Sequence, residues 1–194
     1  MPDQKNIQLR FATQEDVPAL LEIYRQYIPT TVTFEYVLPS EEEFSRRVAD
    51  FSAVYPYLVA EEQGKILGYA YAHRCAERAA YGWGAELSVY LHPDAAGRGL
   101  GRLLYQTLME LLRLQGVQTV YGLVTSPNPA SEGLHKSMGF RLLGVQQKAG
   151  YKNGCWIDLL RFEKPIGAYS LEPSPVIPIG ELPQEQVQQI LTRF

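Results

Sequence analysis

A glycine-rich turn, Gly97-Arg98-Gly99-Leu100-Gly101, constrains this chain more than any other feature. Before it, GAELSVYLHP alternates, with Glu86, Ser88 and Tyr90 on one face and Leu87, Val89 and Leu91 on the other, which is the period of a strand. After it, Leu100, Leu103, Leu104, Leu108, Leu111 and Leu112 recur at helical spacing until Gly116 stops the pattern. A strand that turns through glycines into a helix offers unpaired backbone N–H groups at the positive end of the helix dipole. Glycines let a phosphate approach those groups closely, and Arg98 could add charge. Two common phosphate motifs fail on spacing. GxGxxG from Gly97 needs a glycine where Arg102 stands, and a P-loop needs Lys and then Ser or Thr where Arg102 and Leu103 stand. The turn alone leaves a pyrophosphate cradle and an ordinary strand-to-helix connection equally open.

The flanking segments supply a frame for this turn. IQLRF (7–11) alternates as a half-buried strand does. Thr13 is placed to cap a helix that carries Val17, Leu20, Leu21 and Tyr24 on one face and ends at Pro29. TTVTFEYV (30–37) is β-prone and irregular. Ser40 and Glu43 form a capping box ahead of a helix with Phe44, Val48 and Phe51. YLVAEE and KILGYAYAHR read as a hairpin across Gln63-Gly64. VQTVYGLVT is a strand, PASEGLHKSMG a short helix ended by Gly139, and FRLLGVQQ and CWIDLLRFEK the last strands. The order is β, α, α, antiparallel strands, then β-α-β-α-β. It predicts a mixed α/β chain with a helix-covered central sheet.

Composition narrows the function. Hydrophobic residues are 46% and charged residues 20%, as in folded globular chains. With Lys+Arg 18 and Asp+Glu 21 the net charge is −3, and no basic block stands out, so neither a nucleic acid nor a membrane surface is expected as partner. The opening MPDQKNIQLR is polar and no run of about 18 apolar residues occurs, so no secretory or membrane-spanning segment is expected. Cys75 and Cys155 form no CxxC and no ligand spacing, which fits a reduced, cytoplasmic setting without a metal. From residue 165 the composition shifts to a proline-rich stretch. It is followed by a stripe of Val187, Ile190, Leu191 and Phe194, a short helix with Pro183 in its first turn. Residues 1–164 are thus expected to be the main domain and 165–194 an extension, whose helix is too short to stand alone and needs a surface to cover. The protein's own sheet edge and a partner subunit both qualify, and the partner is the expectation.

HPDAAGRGLGRLLYQTL, together with SPNPASEGLHKSMGF from Ser126, resembles the GNAT superfamily of acetyl-CoA-dependent N-acetyltransferases. The segments TTVTFE, YPYLVAE, GYAYA, RAAYGWGAELSVYL, LHKSMGF and AGYKNGCWID are similar to its phosphinothricin and methionine-sulfone acetyltransferase branch. The resemblance covers roughly 7–164 and implies a GNAT-like fold, mixed α/β with a largely antiparallel central sheet flanked by helices. It implies acetyl-CoA as co-substrate, no metal, a small amino-acid-like amine as acceptor, and a homodimer. The family's phosphate motif, Q/R-x-x-G-x-G, falls on Ala96, Gly97, Arg98, Gly99, Leu100 and Gly101. Ala96 removes one side-chain contact to the phosphates and leaves the backbone cradle. Ala76 stands where the branch often has a basic residue, which counts against tight binding of a phosphinate.

Acetyl transfer from a thioester to an amine needs a deprotonated amine, a polarised carbonyl and a leaving thiolate. A peptide α-amine titrates at about 7.7–8.0 and a free amino acid higher, so a base helps near neutral pH. Glu86 is the candidate, directly or through a water, and the resemblance puts the branch's base at this residue. It shares its strand with the glycine-rich turn, which joins the two sites. The alternative for Glu86 is a salt-bridged strand-edge residue. The resemblance also implies His135 as proton donor to the thiolate, with a histidine that only bonds within the fold or contacts substrate as the alternative. By the same match Asn128 contacts the CoA arm, and backbone groups of Ser88, Val89 and Tyr90 pair with the pantetheine amides as an added strand would. Arg78 is the candidate grip on the acceptor's carboxylate, because arginine offers two parallel hydrogen bonds. Tyr81, Trp83 and Phe34 are candidate contacts to the acceptor, with plain packing as the alternative for each. His73 and His92 read as structural or exposed.

Overall fold

The computed structural model describes residues 7–193. Its elements are β1 (Ile7–Phe11), α1 (Val17–Arg25), α2 (Glu41–Ser52), β2 (Tyr57–Glu62), β3 (Lys65–Arg74), β4 (Gly84–Leu91), α3 (Leu100–Gln115), β5 (Thr119–Ser126), α4 (Pro129–Ser137), β6 (Arg141–Lys152), β7 (Cys155–Pro165) and α5 (Gln184–Leu191). The seven strands form one sheet in the order β1-β2-β3-β4-β5-β7-β6. Every neighbouring pair is antiparallel except β4 with β5, which run parallel. The expected mixed, largely antiparallel sheet flanked by helices is what forms.

Local chemistry sets the boundaries. Thr13 precedes a single 3₁₀ turn (Gln14–Asp16) before α1 begins at Val17. The Asp16 carboxylate accepts from the Thr13 N–H and receives the Arg10 guanidinium at 2.7 and 2.8 Å, so the entry to α1 is pinned to β1. Arg10 holds the Asp16 carboxyl below its ordinary pKa. Helix α1 stops at Arg25, short of Pro29, and residues 26–33 run through turns and bends. The Ser40 hydroxyl caps α2 by accepting from the Glu43 N–H at 3.1 Å. Gln63 and Gly64 (φ 52° and 80°) close the β2–β3 hairpin, and Asn153 and Gly154 (φ 51° and 79°) close β6–β7. Both pairs have the left-handed backbone of a tight two-residue hairpin turn. Strand β6 runs on to Lys152, past the expected Gln147, because the chain reverses at Asn153-Gly154 and not at Lys148-Ala149-Gly150.

The alternation of β4 sorts the molecule into two layers. Leu87, Val89 and Leu91 join the core beneath α3, and Tyr90 joins the cluster beneath α1 and α2 with Tyr69, Tyr71 and Tyr57. Leu104, Leu108, Leu111 and Leu112 of α3 are fully enclosed. Burial of one such side chain contributes about 1.5–3 kcal/mol.

The C-terminal helix corrects an expectation. Its apolar residues cover α3 of the same chain and not a partner subunit. Val187, Ile190 and Leu191 are buried in the core that α3 shares with the sheet, and Arg193 pairs with Glu110 of α3 at 2.6 Å. The cause lies in α3, whose apolar residues extend too far around the helix for the sheet alone to enclose them. Gln115 at its end also ties down the proline-rich stretch, donating to the Ile177 carbonyl at 2.7 Å. Phe194, expected in the same stripe, lies outside the described residues.

Candidate active site

The parallel pairing of β4 with β5 lasts only from Gly84↔Thr119 to Glu86↔Tyr121. Beyond it the strands separate, although β4 continues to Leu91 and β5 to Ser126. The far edge of β4 is therefore open. Antiparallel strands aim the backbone groups of alternate residues at the same neighbour. The His92 N–H donates to the Leu67 carbonyl on the β3 side, whereas the Leu91 N–H and carbonyl both meet the Tyr27 hydroxyl, at 3.0 and 2.7 Å. By parity Leu87, Val89 and Leu91 aim at the gap, while Ser88 and Tyr90 pair with β3. The Leu87 carbonyl accepts from the Tyr105 hydroxyl at 3.2 Å. Val89 is left with its backbone groups aimed into the gap. Of Ser88, Val89 and Tyr90, it alone is placed to meet a ligand's amides as an added strand would.

A cleft of about 470 Å³ opens at this gap, lined among others by Tyr27, Val89, Ala96, Gly97, Gly101 and Asn128. Gly97 and Gly99 adopt φ of 72° and 80°, a backbone that residues with a Cβ rarely accept. The Leu103 N–H is bonded to the Gly99 carbonyl, so the first-turn N–H groups of Leu100, Gly101 and Arg102 precede the helix ladder and have no partner in it. Leu100 itself is buried beneath the turn and serves as its anchor. A phosphate group fits this cradle: small, positively polarised and without side chains to obstruct it. Arg98 is committed elsewhere, gripping Glu62 at 2.6 and 3.1 Å, and its backbone N–H bonds to the Ala95 carbonyl. Asn128 caps α4, its Oδ1 accepting from the Ser131 N–H at 3.2 Å, which fixes the amide at the cleft wall.

Glu86 lines a second cleft of about 280 Å³ with Cys75, Ala76, Tyr81, Tyr121, Leu123, Arg161 and Phe162. The first cleft is lined by Val89 and Leu91, beyond the last β4–β5 pair, and the second by Glu86 and Tyr121, which form that pair. Of the expected acceptor contacts, only Tyr81 shares the cleft with Glu86. Arg78 is exposed on the loop just before Tyr81. Trp83 turns toward the C-terminal stretch because its indole N–H finds an acceptor there, the Ser174 carbonyl at 2.8 Å. The Phe34 ring occupies the space beside Gly150, where a Cβ would come within 2.7 Å of it. Sequence reasoning missed Arg161, Tyr121 and His73. The last two are strand-register partners of Glu86, which residue spacing could not reveal.

His135 lines neither cleft. It is 2% exposed, and its ring lies against Tyr105, Phe140 and Phe162. Its Nδ1 donates to the Ser131 carbonyl at 2.8 Å, while Nε2 is buried without a partner, against Gly122, where a Cβ would come within 2.2 Å. Glycine at 122 makes room for the inward-pointing ring. Burial pushes its pKa below the ordinary value. The unfolded chain takes up this proton near about 6.5, whereas the folded chain resists it until lower pH. Stability linked to His135 is therefore complete above that pH and lost below it. Between pH 7.5 and 5.5 the melting temperature of the wild type is expected to drop relative to that of His135→Leu, which should keep its turnover per folded molecule. A specific loss of kcat in a well-folded variant would return His135 to the chemistry.

Among the described residues no group of three or more His, Cys, Asp and Glu side chains gathers as a metal site, and no helix is long and apolar enough to cross a membrane. Residues 9–160 match the acetyltransferase (GNAT) domain family. The phosphinothricin N-acetyltransferase of Alcaligenes faecalis is 42% identical over 165 residues, 82% of this chain and 83% of that protein. The L-methionine sulfoximine/L-methionine sulfone acetyltransferase of Pseudomonas aeruginosa is 35% identical over 156 residues, 78% of this chain and 90% of that protein. The crystal structure of a GNAT superfamily phosphinothricin acetyltransferase from Sinorhizobium meliloti in complex with AcCoA superposes with a TM-score of 0.84 at 33% identity, covering 91% of this chain and 98% of that one. The open edge of β4, the glycine cradle and the match over residues 9–160 converge: the chain belongs to the GNAT acetyltransferase family.

Proposed function

We propose that this protein transfers the acetyl group of acetyl-CoA to the α-amine of a small amino-acid-like acceptor, of the phosphinothricin or methionine sulfoximine/sulfone type, by direct attack in a ternary complex. One observation carries the reading. The open backbone of Val89 lies on the strand that joins the glycine cradle to Glu86. Acetyl-CoA supplies the thioester. The N–H groups of Leu100, Gly101 and Arg102 bind its pyrophosphate, Asn128 meets its arm, and Val89 pairs with the pantetheine as an added strand. The acceptor's nitrogen attacks from the Glu86 cleft, and Glu86 takes the amine's proton directly or through a water. No covalent enzyme intermediate is needed.

Tyr81 closes the acceptor cleft, and an arginine at its rim reads the acceptor's carboxylate. Arg78 holds that role in this reading, and Arg161 lines the cleft itself. A panel of amino-acid analogues assayed for CoA release tests the function. Release above background with an amino-acid acceptor is expected, and none with any amine would overturn it. Arg78→Ala is expected to raise KM for carboxylate-bearing acceptors more than for their amides. An equal effect on both, with the selective loss in Arg161→Ala instead, would move the carboxylate site to Arg161.

The assembly proposed is a homodimer that covers β6. This strand ends the sheet, and its Leu142, Leu143 and Val145 are 46%, 49% and 47% exposed, an apolar edge of the kind that partners cover. The unpaired Cys75 and Cys155 support a reducing, cytoplasmic setting.

A further inference from the structure

His73 on β3 is the register partner of Glu86 on β4. Its Nε2 lies 3.6 Å from Glu86 Oε1. Its Nδ1 lies 3.0 Å from the Arg74 carbonyl oxygen. A carbonyl only accepts, so Nδ1 carries a proton, and the neutral ring has its lone pair on Nε2, facing the carboxylate. Two lone-pair bearers in that position repel, and one shared proton turns the contact into an attraction. The ring is held by Phe51, with centroids 5.2 Å apart, and by Tyr71 at 6.0 Å. It also lines a cleft of about 530 Å³, together with Asp50, Arg74, Pro175 and Val176.

We propose that His73 is a positioning and proton-relay residue for Glu86: it orients the carboxylate toward the acceptor and carries the amine's proton onward to the adjoining cleft. This rests on the reading of Glu86 as the base. The N–H bond of the attacking amine breaks as an O–H bond forms on Glu86, and the electron pair stays on nitrogen. The proton then moves to Nε2 and gives an imidazolium whose Nδ1–H remains on the Arg74 carbonyl. Water in the cleft takes it from Nε2, which restores the neutral ring. The charged and titratable groups around the ring are Glu86 from β4, Tyr71 and Arg74 from β3, Asp50 from α2 and Tyr55 from the α2–β2 connection; Pro175 and Val176 of the C-terminal stretch add no charge. Burial alone would lower the pKa of His73, but the Glu86 carboxylate and the Arg74 carbonyl outweigh it and raise it above the ordinary value.

The test is an NMR titration of the protein's three histidines in the wild type and in Glu86→Gln, with kcat–pH profiles of the wild type and His73→Gln. The His73 midpoint is expected above about 6.5 in the wild type, and to move down in Glu86→Gln, which removes the carboxylate that raises it. In the wild type kcat should rise with pH as the pair loses its shared proton. In His73→Gln that limb should move to lower pH, with KM for acetyl-CoA unchanged. An unchanged midpoint in Glu86→Gln, or a wild-type limb in a folded His73→Gln, would overturn the relay. The titration needs no turnover, so a protein that transfers no acetyl group would overturn the proposed function while the titration still decides the His73–Glu86 coupling.

Discussion

Gly99→Glu is expected to abolish the stabilisation that acetyl-CoA gives this protein. A ligand at 100 times its Kd adds about 2.7 kcal/mol, which for a chain of this size raises the melting temperature by about 5–11 °C. Gly99 stands immediately before α3 with φ 80°. A glutamate there strains the left-handed backbone by about 1–2 kcal/mol and sets a negative charge where the pyrophosphate binds. Strain alone lowers the melting temperature of the unliganded protein and leaves the shift intact, so the two effects separate. Gly64→Ala is the control: Gly64 has the same φ of 80° and open space around it, but sits in the β2–β3 turn. It should melt lower than the wild type and still respond fully to acetyl-CoA. A full response in Gly99→Glu, measured by thermal shift at millimolar acetyl-CoA, would remove the cradle from the cofactor site.

The sequence exposed the parts of this site that depend on local geometry. The glycines at 97 and 99 mark a turn that a phosphate can approach, and the alternation of β4 puts Glu86 and Tyr90 on one face and Val89 on the other, as the structure has them. What it concealed depends on register and on contacts distant in sequence. The separation of β4 from β5 leaves no mark in either strand, yet it decides that Val89, and not Ser88 or Tyr90, offers its backbone to the gap. His73 carries no ligand spacing and so reads as structural or exposed; the Gln63-Gly64 turn fixes β3 against β2 and says nothing of β3 against β4, where Glu86 meets it. The burial of His135 is hidden for a related reason. The space it fills is made by Gly122 on β5, and nothing near residue 135 signals that vacancy. The C-terminal stripe was correctly read as a helix in need of a surface. The surface is hidden because helical spacing marks the leucines of α3 as apolar without showing what they face, and they extend around the helix far enough to bury α5 as well.

Glu86→Gln is expected to cut kcat by roughly 10²–10⁴. The amide keeps the size and much of the hydrogen bonding of the carboxylate, so the cleft with Tyr81 and Tyr121 should hold its shape. The substitution removes the capacity to take a proton. Three readouts distinguish loss of a base from loss of structure. Stabilisation by acetyl-CoA should match the wild type, because the cradle at Gly97–Gly101 lies beyond the far end of β4 from Glu86. The deficit should shrink as pH rises, because a growing fraction of the acceptor amine reaches the cleft already deprotonated. It should also shrink, at fixed pH, for acceptors whose amines are less basic, since these need the least help. A deficit that stays constant across pH and across amines would mean that Glu86 serves only to hold His73 and the β3–β4 register in place. The chemistry would then rest on the open backbone of Val89 and the orientation of the two substrates, which can supply a large part of an acyl-transfer rate through proximity alone.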